Sequence, residues 1–123
     1  MREIKFRGKR LDNGEWAIGL LVKMWGAWHI LDWDDENTAY PVDPDTIGQY
    51  TGLKDKYGKE IREGDIIRYK EFYFVVEYKS CMAGFVASFV KDKNAYWDLN
   101  RKWVITHSVR IIGNIHDNKH LLK

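Results

Sequence analysis

The side chains that could carry chemistry in this 123-residue chain fall into a few groups, each with spacing rules of its own. Asp32, Asp34, Asp35, Glu36, Asp43 and Asp45 lie in a stretch that contains no base. Asp32, Asp34 and Glu36 take positions one, three and five of a twelve-residue loop ending at Asp43, the layout of a calcium loop. Such a loop also needs Gly at position six and a bidentate Glu at twelve. Asn37 and Asp43 stand there, and the flanks read as strands, so the stretch reads as an acidic hairpin tip. Paired carboxylates do acid–base work when an apolar pocket raises one pKa; a turn offers none.

The remaining reactive types fare no better. His116 and His120 are four apart, but a zinc site needs a third ligand and stable backbone, and these two lie in a polar tail; His29 and His107 are the other histidines. Cys81 is the single cysteine, which excludes an internal disulfide and fits a reducing compartment. Its expected role is that of a small buried apolar side chain. Ser80, Ser88 and Ser108 sit in no Gly-x-Ser-x-Gly elbow. Five residues separate Gly52 from Gly58-Lys59 rather than four, and Glu60 follows where a phosphate loop needs a hydroxyl. No catalytic residue, metal ligand or cofactor is assigned. The expectation is a protein that binds rather than reacts.

Binding has better material. Six Trp, seven Tyr and five Phe are more than the interior of a small protein readily hides. Trp25, Trp28 and Trp33 lie close together in the first half, Trp97 and Trp103 in the second, and these five are the candidate protein-binding residues. Exposed edge strands offer a second route to association. The alternative is nucleic acid, with Lys54, Lys56, Lys59, Arg62 and Arg68 on phosphates and Tyr50, Tyr57 and Tyr69 on bases. Asp55, Glu60, Glu63 and Asp65 dilute that field, and the whole chain is only +2. Residues 1–50 hold 6 bases and 9 acids, against 14 and 9 in 51–123. That contrast suggests complementary surfaces, within one molecule or between copies.

The elements that must position these residues read as strands. Trp16, Ile18, Leu20, Val22 and Met24 alternate on one face, after an Asn13-Gly14 hairpin signal that follows a first strand near 4–9. A third strand follows a turn at Gly26, and 38–42 forms a short edge strand that tolerates Pro41. In the second half, strands are expected at 65–70, 72–79, 85–90 and 109–115. Tyr96, Leu99 and Trp103 have helical spacing, but their polar surroundings predict only a turn or two. Thr51-Gly52 and Tyr57-Gly58 bracket a charged turn, and Asp65 can accept from its backbone amides.

The segment from Asp43 to Ile67, with Gln49-Tyr50-Thr51-Gly52-Leu53-Lys54-Asp55 followed by Glu63-Gly64-Asp65, resembles the YopX family of bacteriophage and prophage proteins. The opening Met1–Arg7 and the ending Ile112-Gly113-Asn114-Ile115-His116-Asp117-Asn118 are similar too. The resemblance implies a β-rich N-terminal part, an SH3-like barrel in the C-terminal part and a phage or prophage origin. It implies no activity, since members are generally of unknown function. The expected fold is all-β: an N-terminal meander over 1–50, then an SH3-like barrel over 51–123, with one or two short helical turns. The expected protein is a cytoplasmic, self-associating accessory protein that binds a host or phage protein. Its longest early apolar run, Leu20-Leu21-Val22, is too short for a signal sequence or a membrane span.

Overall fold

Period-two alternation does build strands here, and they fall into two compact units that meet at Tyr50–Thr51 in the computed structural model, which describes residues 3–123. Among these residues the architecture is all-β, with two antiparallel sheets, one α-helix and three short 3₁₀ turns. Among the described residues, no helix is long and apolar enough to cross a membrane.

The first unit contains β1 (Phe6–Lys9), β2 (Trp16–Met24), β3 (Ala27–Asp32), β4 (Ala39–Pro41) and the start of β5 (Gly48–Lys54). Its strand order is β4-β3-β2-β1-β5, all antiparallel, so short β4 with its Pro41 lies at an edge. The core gathers Ala17, Ile30 and Val42 with Phe6, Leu21, Tyr40 and Ile47. The buried face of β2 is thus that of Ala17, Gly19 and Leu21, while the bulkier alternating set is more open and Leu20 is exposed. Gly19 has a local reason: a Cβ there would lie 1.8 Å from the Leu31 carbonyl oxygen.

The two hairpins divide the turn work differently from the sequence expectation. At Asn13-Gly14 only the glycine is left-handed, and the Gly14 amide donates to the Arg10 carbonyl at 2.9 Å, closing a longer loop. The two-residue turn with positive φ at both positions falls instead at Trp25 (φ 51°) and Gly26 (φ 78°). That geometry twists with the flanking strands and normally selects Asn-Gly.

In the second unit the end of β5 pairs with β6 (Glu60–Arg62). The five-stranded sheet runs in the order β10-β9-β8-β7-β11. Its members are β7 (Asp65–Tyr69), β8 (Phe72–Lys79), β9 (Gly84–Phe89), β10 (Asp92–Asp98) and β11 (Arg110–Asn114). The pairing leaves this sheet open rather than closing it into a ring. Its core holds Ile61, Ile67, Phe74, Val76, Ala87, Leu99, Val104 and Val109.

The stretch 92–107 departs from its expected reading. Tyr96 and Trp97 lie on strand β10, not on a helical turn. Helix α1 (Arg101–His107) starts after Asn100, whose side-chain oxygen accepts from the Trp103 amide at 2.8 Å, an N-cap. It ends at left-handed Ser108 (φ 46°).

Candidate binding surfaces

The glycine-punctuated segment 51–65 builds a corner. Asp55 is buried, and its Oδ1 accepts from the amides of Tyr57 and Lys59, both at 2.9 Å. Its Oδ2 accepts from the Ile111 amide on β11 at 3.0 Å, and the Lys56 amide donates to the Val109 carbonyl at 3.0 Å. One carboxylate therefore ties a turn to a strand 56 residues further on. Asp65 serves a later turn than the one expected: its Oδ2 accepts from the Arg62 amide at 2.7 Å, while Asp55 holds the amides of Tyr57 and Lys59. The spacing Asp55-x-x-Gly58 is a turn signal that could have flagged Asp55, although nothing in the sequence names its distant partner.

The aromatic side chains of the second unit converge. Phe74 makes edge-to-face contacts with Trp97 and Trp103, at centroid distances of 5.6 and 5.4 Å. From Trp103 the contacts run on to His107 (4.7 Å), Tyr69 (4.8 Å), Phe72 (6.3 Å), Phe89 (6.1 Å) and back to Phe74 (5.8 Å). This closed circuit of rings, with Trp97 beside it, lines a cavity of about 260 Å³ that no charged side chain lines. His107 Nδ1 lies 2.8 Å from the Trp103 carbonyl. A carbonyl only accepts, so Nδ1 is the donor of this hydrogen bond. Trp97 and Trp103, singled out from sequence, are thus brought to one cavity. Tyr69, Phe72, Phe74 and Phe89 join them, and the Phe72/Phe74 alternation on β8 was the available signal.

The tryptophans of the first unit are not brought together. Trp25 caps the β2–β3 hairpin and is 90% exposed; its ring meets His29 edge-on at 6.0 Å. Trp28 is the second residue of β3, with the Lys23 ammonium 5.4 Å from its ring centroid. Trp33 lies past the far end of β3, about 20 Å from the tip at strand rise, and Lys5 sits 4.6 Å over its ring.

The basic candidates separate as well. Lys54, Lys56 and Lys59 are exposed around the β5–β6 turn, while Arg62 is paired with Glu60 at 2.7 Å. Arg68 lies on β7, where its Nε donates to the Lys70 carbonyl and its guanidinium stands 5.6 Å from the Tyr73 ring centroid. The acids of 32–45 are turn-formers: Asp32 accepts from the Asp34 amide (2.8 Å), Asp35 from Asn37 (3.0 Å), and Asp43 from Asp45 (3.0 Å). The Thr38 hydroxyl, then the Asn37 amide, hold the Asp35 carboxyl below its ordinary pKa. Among the described residues, no three His, Cys, Asp or Glu side chains form a group able to hold a metal. Cys81 corrects its expected placement, being exposed in a 3₁₀ turn. Its hydrogen bond and charge raise the pKa of the Tyr96 hydroxyl.

Fold and surfaces together define a small all-β protein with two antiparallel sheets and a ring-walled cavity in its second unit. The YopX family model (YopX protein) matches residues 5–123, nearly the whole chain, and the protein belongs to that family. Among solved structures, it is similar to protein EF1440 from Enterococcus faecalis, with a TM-score of 0.61 and 23% identity over 100% of both chains. That likeness shows the fold. No curated protein matches.

Proposed function

We propose that this YopX protein is a non-enzymatic accessory protein of phage or prophage origin, acting in the bacterial cytoplasm by protein–protein contact. Its first partner is another copy of itself, and a host or phage protein is a further one. The supporting observation is Trp25. A bulky residue in left-handed backbone is strained by about 1–2 kcal/mol, and this one sits where Asn would fit the turn better. The indole is almost wholly exposed, so packing within its own unit does not account for it. Large aromatics held clear of the surface in this way anchor interfaces. The net −3 of residues 1–50 and +5 of 51–123 favour a contact between unlike units of two copies.

Light scattering on eluting protein tests this reading. The expected mass exceeds one chain and falls with dilution, and Trp28→Ala, next to the tip, weakens the association. A single-chain mass at every concentration, unchanged by the substitution, contradicts it. The nucleic-acid reading through Lys54, Lys56, Lys59, Arg62 and Arg68 is the less favoured one, because Glu60 pairs with Arg62 and Arg68 stands on β7 rather than at the β5–β6 turn.

A further inference from the structure

A second cavity, of about 240 Å³, adjoins the ring-walled one, and Phe72 and Phe89 line both. The two differ sharply in charge. No charged side chain lines the first, whereas Arg68, Lys91 and Lys123 line the second against one carboxylate, Glu71. A ligand suited to both is flat and π-rich at one end and anionic at the other.

We propose that the ring-walled cavity of the second unit takes a base of a single-stranded nucleic acid, with the adjoining phosphate in the cationic cavity. The first volume lies just below the usual range for drug-sized ligands, so it suits one ring system. Stacking of a base on aromatic side chains stabilises single-strand binding whatever the base. Exposed Trp97 is the ring best placed to stack on an incoming base, and Tyr69 and His107 add polar atoms to the lining. A duplex keeps its bases stacked and out of reach of a concave site.

The neighbouring charges decide against other occupants. An alkylammonium would find attractive ring faces, but the Lys70 ammonium already stands 5.3 Å from the Tyr69 centroid, and Arg68 and Lys91 lie beyond the shared wall. An apolar side chain of a protein would gain nothing from those cations. The site uses residues of the second unit alone, so it stands or falls separately from the hairpin contact of the first.

Fluorescence anisotropy with the full chain and a labelled ten-residue oligothymidylate, begun at about 50 mM salt where counterion release favours binding, tests the proposal. The expected result is saturable binding that weakens as salt rises, with a duplex of equal length at least tenfold weaker. Trp97→Ala should weaken binding about tenfold while circular dichroism shows an intact fold. Lys91→Glu should weaken it and flatten its salt dependence. No anisotropy rise would overturn the proposal and leave the cavity to an apolar protein side chain. Unchanged affinity of Trp97→Ala would overturn it too, as would loss of binding on Lys56→Glu but not on Trp97→Ala. Competition by thymidine monophosphate equal to that by the oligonucleotide would overturn the single-strand assignment in favour of a free nucleotide.

Discussion

The two units of this YopX protein are both rich in aromatic residues, but only the second gathers them into a circuit. In the first, rings meet cations: Lys5 over Trp33, Arg7 over Trp16 at 4.5 Å, Arg10 over Tyr40 at 4.0 Å and Lys23 over Trp28. In the second, cations also stand near rings, as Lys70 does at Tyr69 and Arg68 at Tyr73, but the rings meet one another as well, from Phe74 through Trp103 and His107 to Tyr69, Phe72 and Phe89. A cation–ring pair is local and contributes about 0.5–1 kcal/mol at an exposed site. A circuit of rings shares its contacts, so removing one member loosens several. Aromatic composition therefore does not by itself tell an open surface from a cavity wall. What sits beside each ring does.

Phe74→Ala and Trp33→Ala test that contrast most strongly. Phe74 touches Phe89, Trp97 and Trp103 from a buried position, so its truncation should destabilise by about 3–5 kcal/mol in a urea titration. Trp33→Ala, which removes a half-exposed ring beneath Lys5, should lose about 1 kcal/mol. Equal losses would erase the distinction between the units.

Asp55→Ala ranks next. It strands the Tyr57, Lys59 and Ile111 amides, at about 3 kcal/mol in total for partly buried donors left without their acceptor. Hydrogen exchange should show the Ile111 amide losing protection, and a fully protected Ile111 would contradict this. Trp25→Asn has the opposite sign: relief of left-handed strain should stabilise by about 1 kcal/mol, read as a higher melting temperature.

The smallest effect is acid sensitivity of the first unit. The Arg10 guanidinium, by hydrogen bonds at 2.7 and 3.0 Å, holds Asp12 below the ordinary carboxylate pKa, and Thr38 does the same for Asp35. Depressed folded pKa values add stability that is present above the unfolded value, about 3.9, and lost as pH falls through the folded ones. Melting temperature should therefore drop modestly below pH 4, and Asp12→Asn should blunt the drop.

Strand content was readable wherever one face is buried, as on β8, where the residues 72–79 agree with the alternation. It was unreadable on β10, whose side chains are exposed on both faces but for a half-buried Ala95, so no period of two survives. The spacing of Tyr96, Leu99 and Trp103 then imitated a helix that begins only at Arg101. Alternation on β2 was visible, but not which face is inward. The core lies against small Ala17, and at Gly19 on the same face the backbone of Leu31 comes too close for any side chain. Trp97 and Trp103 were singled out as aromatics, whereas their meeting depends on cross-strand placement around Phe74. Trp25 was visible as a residue, and its left-handed backbone was not.

Sedimentation velocity over a hundredfold range of concentration, comparing the natural chain with Trp25→Asn, reaches furthest into the proposed role. A natural chain that sediments faster as concentration rises, beside a variant that stays monomeric yet melts higher, is the expected result. A variant that associates as strongly as the natural chain, or a natural chain that is monomeric throughout, would contradict it.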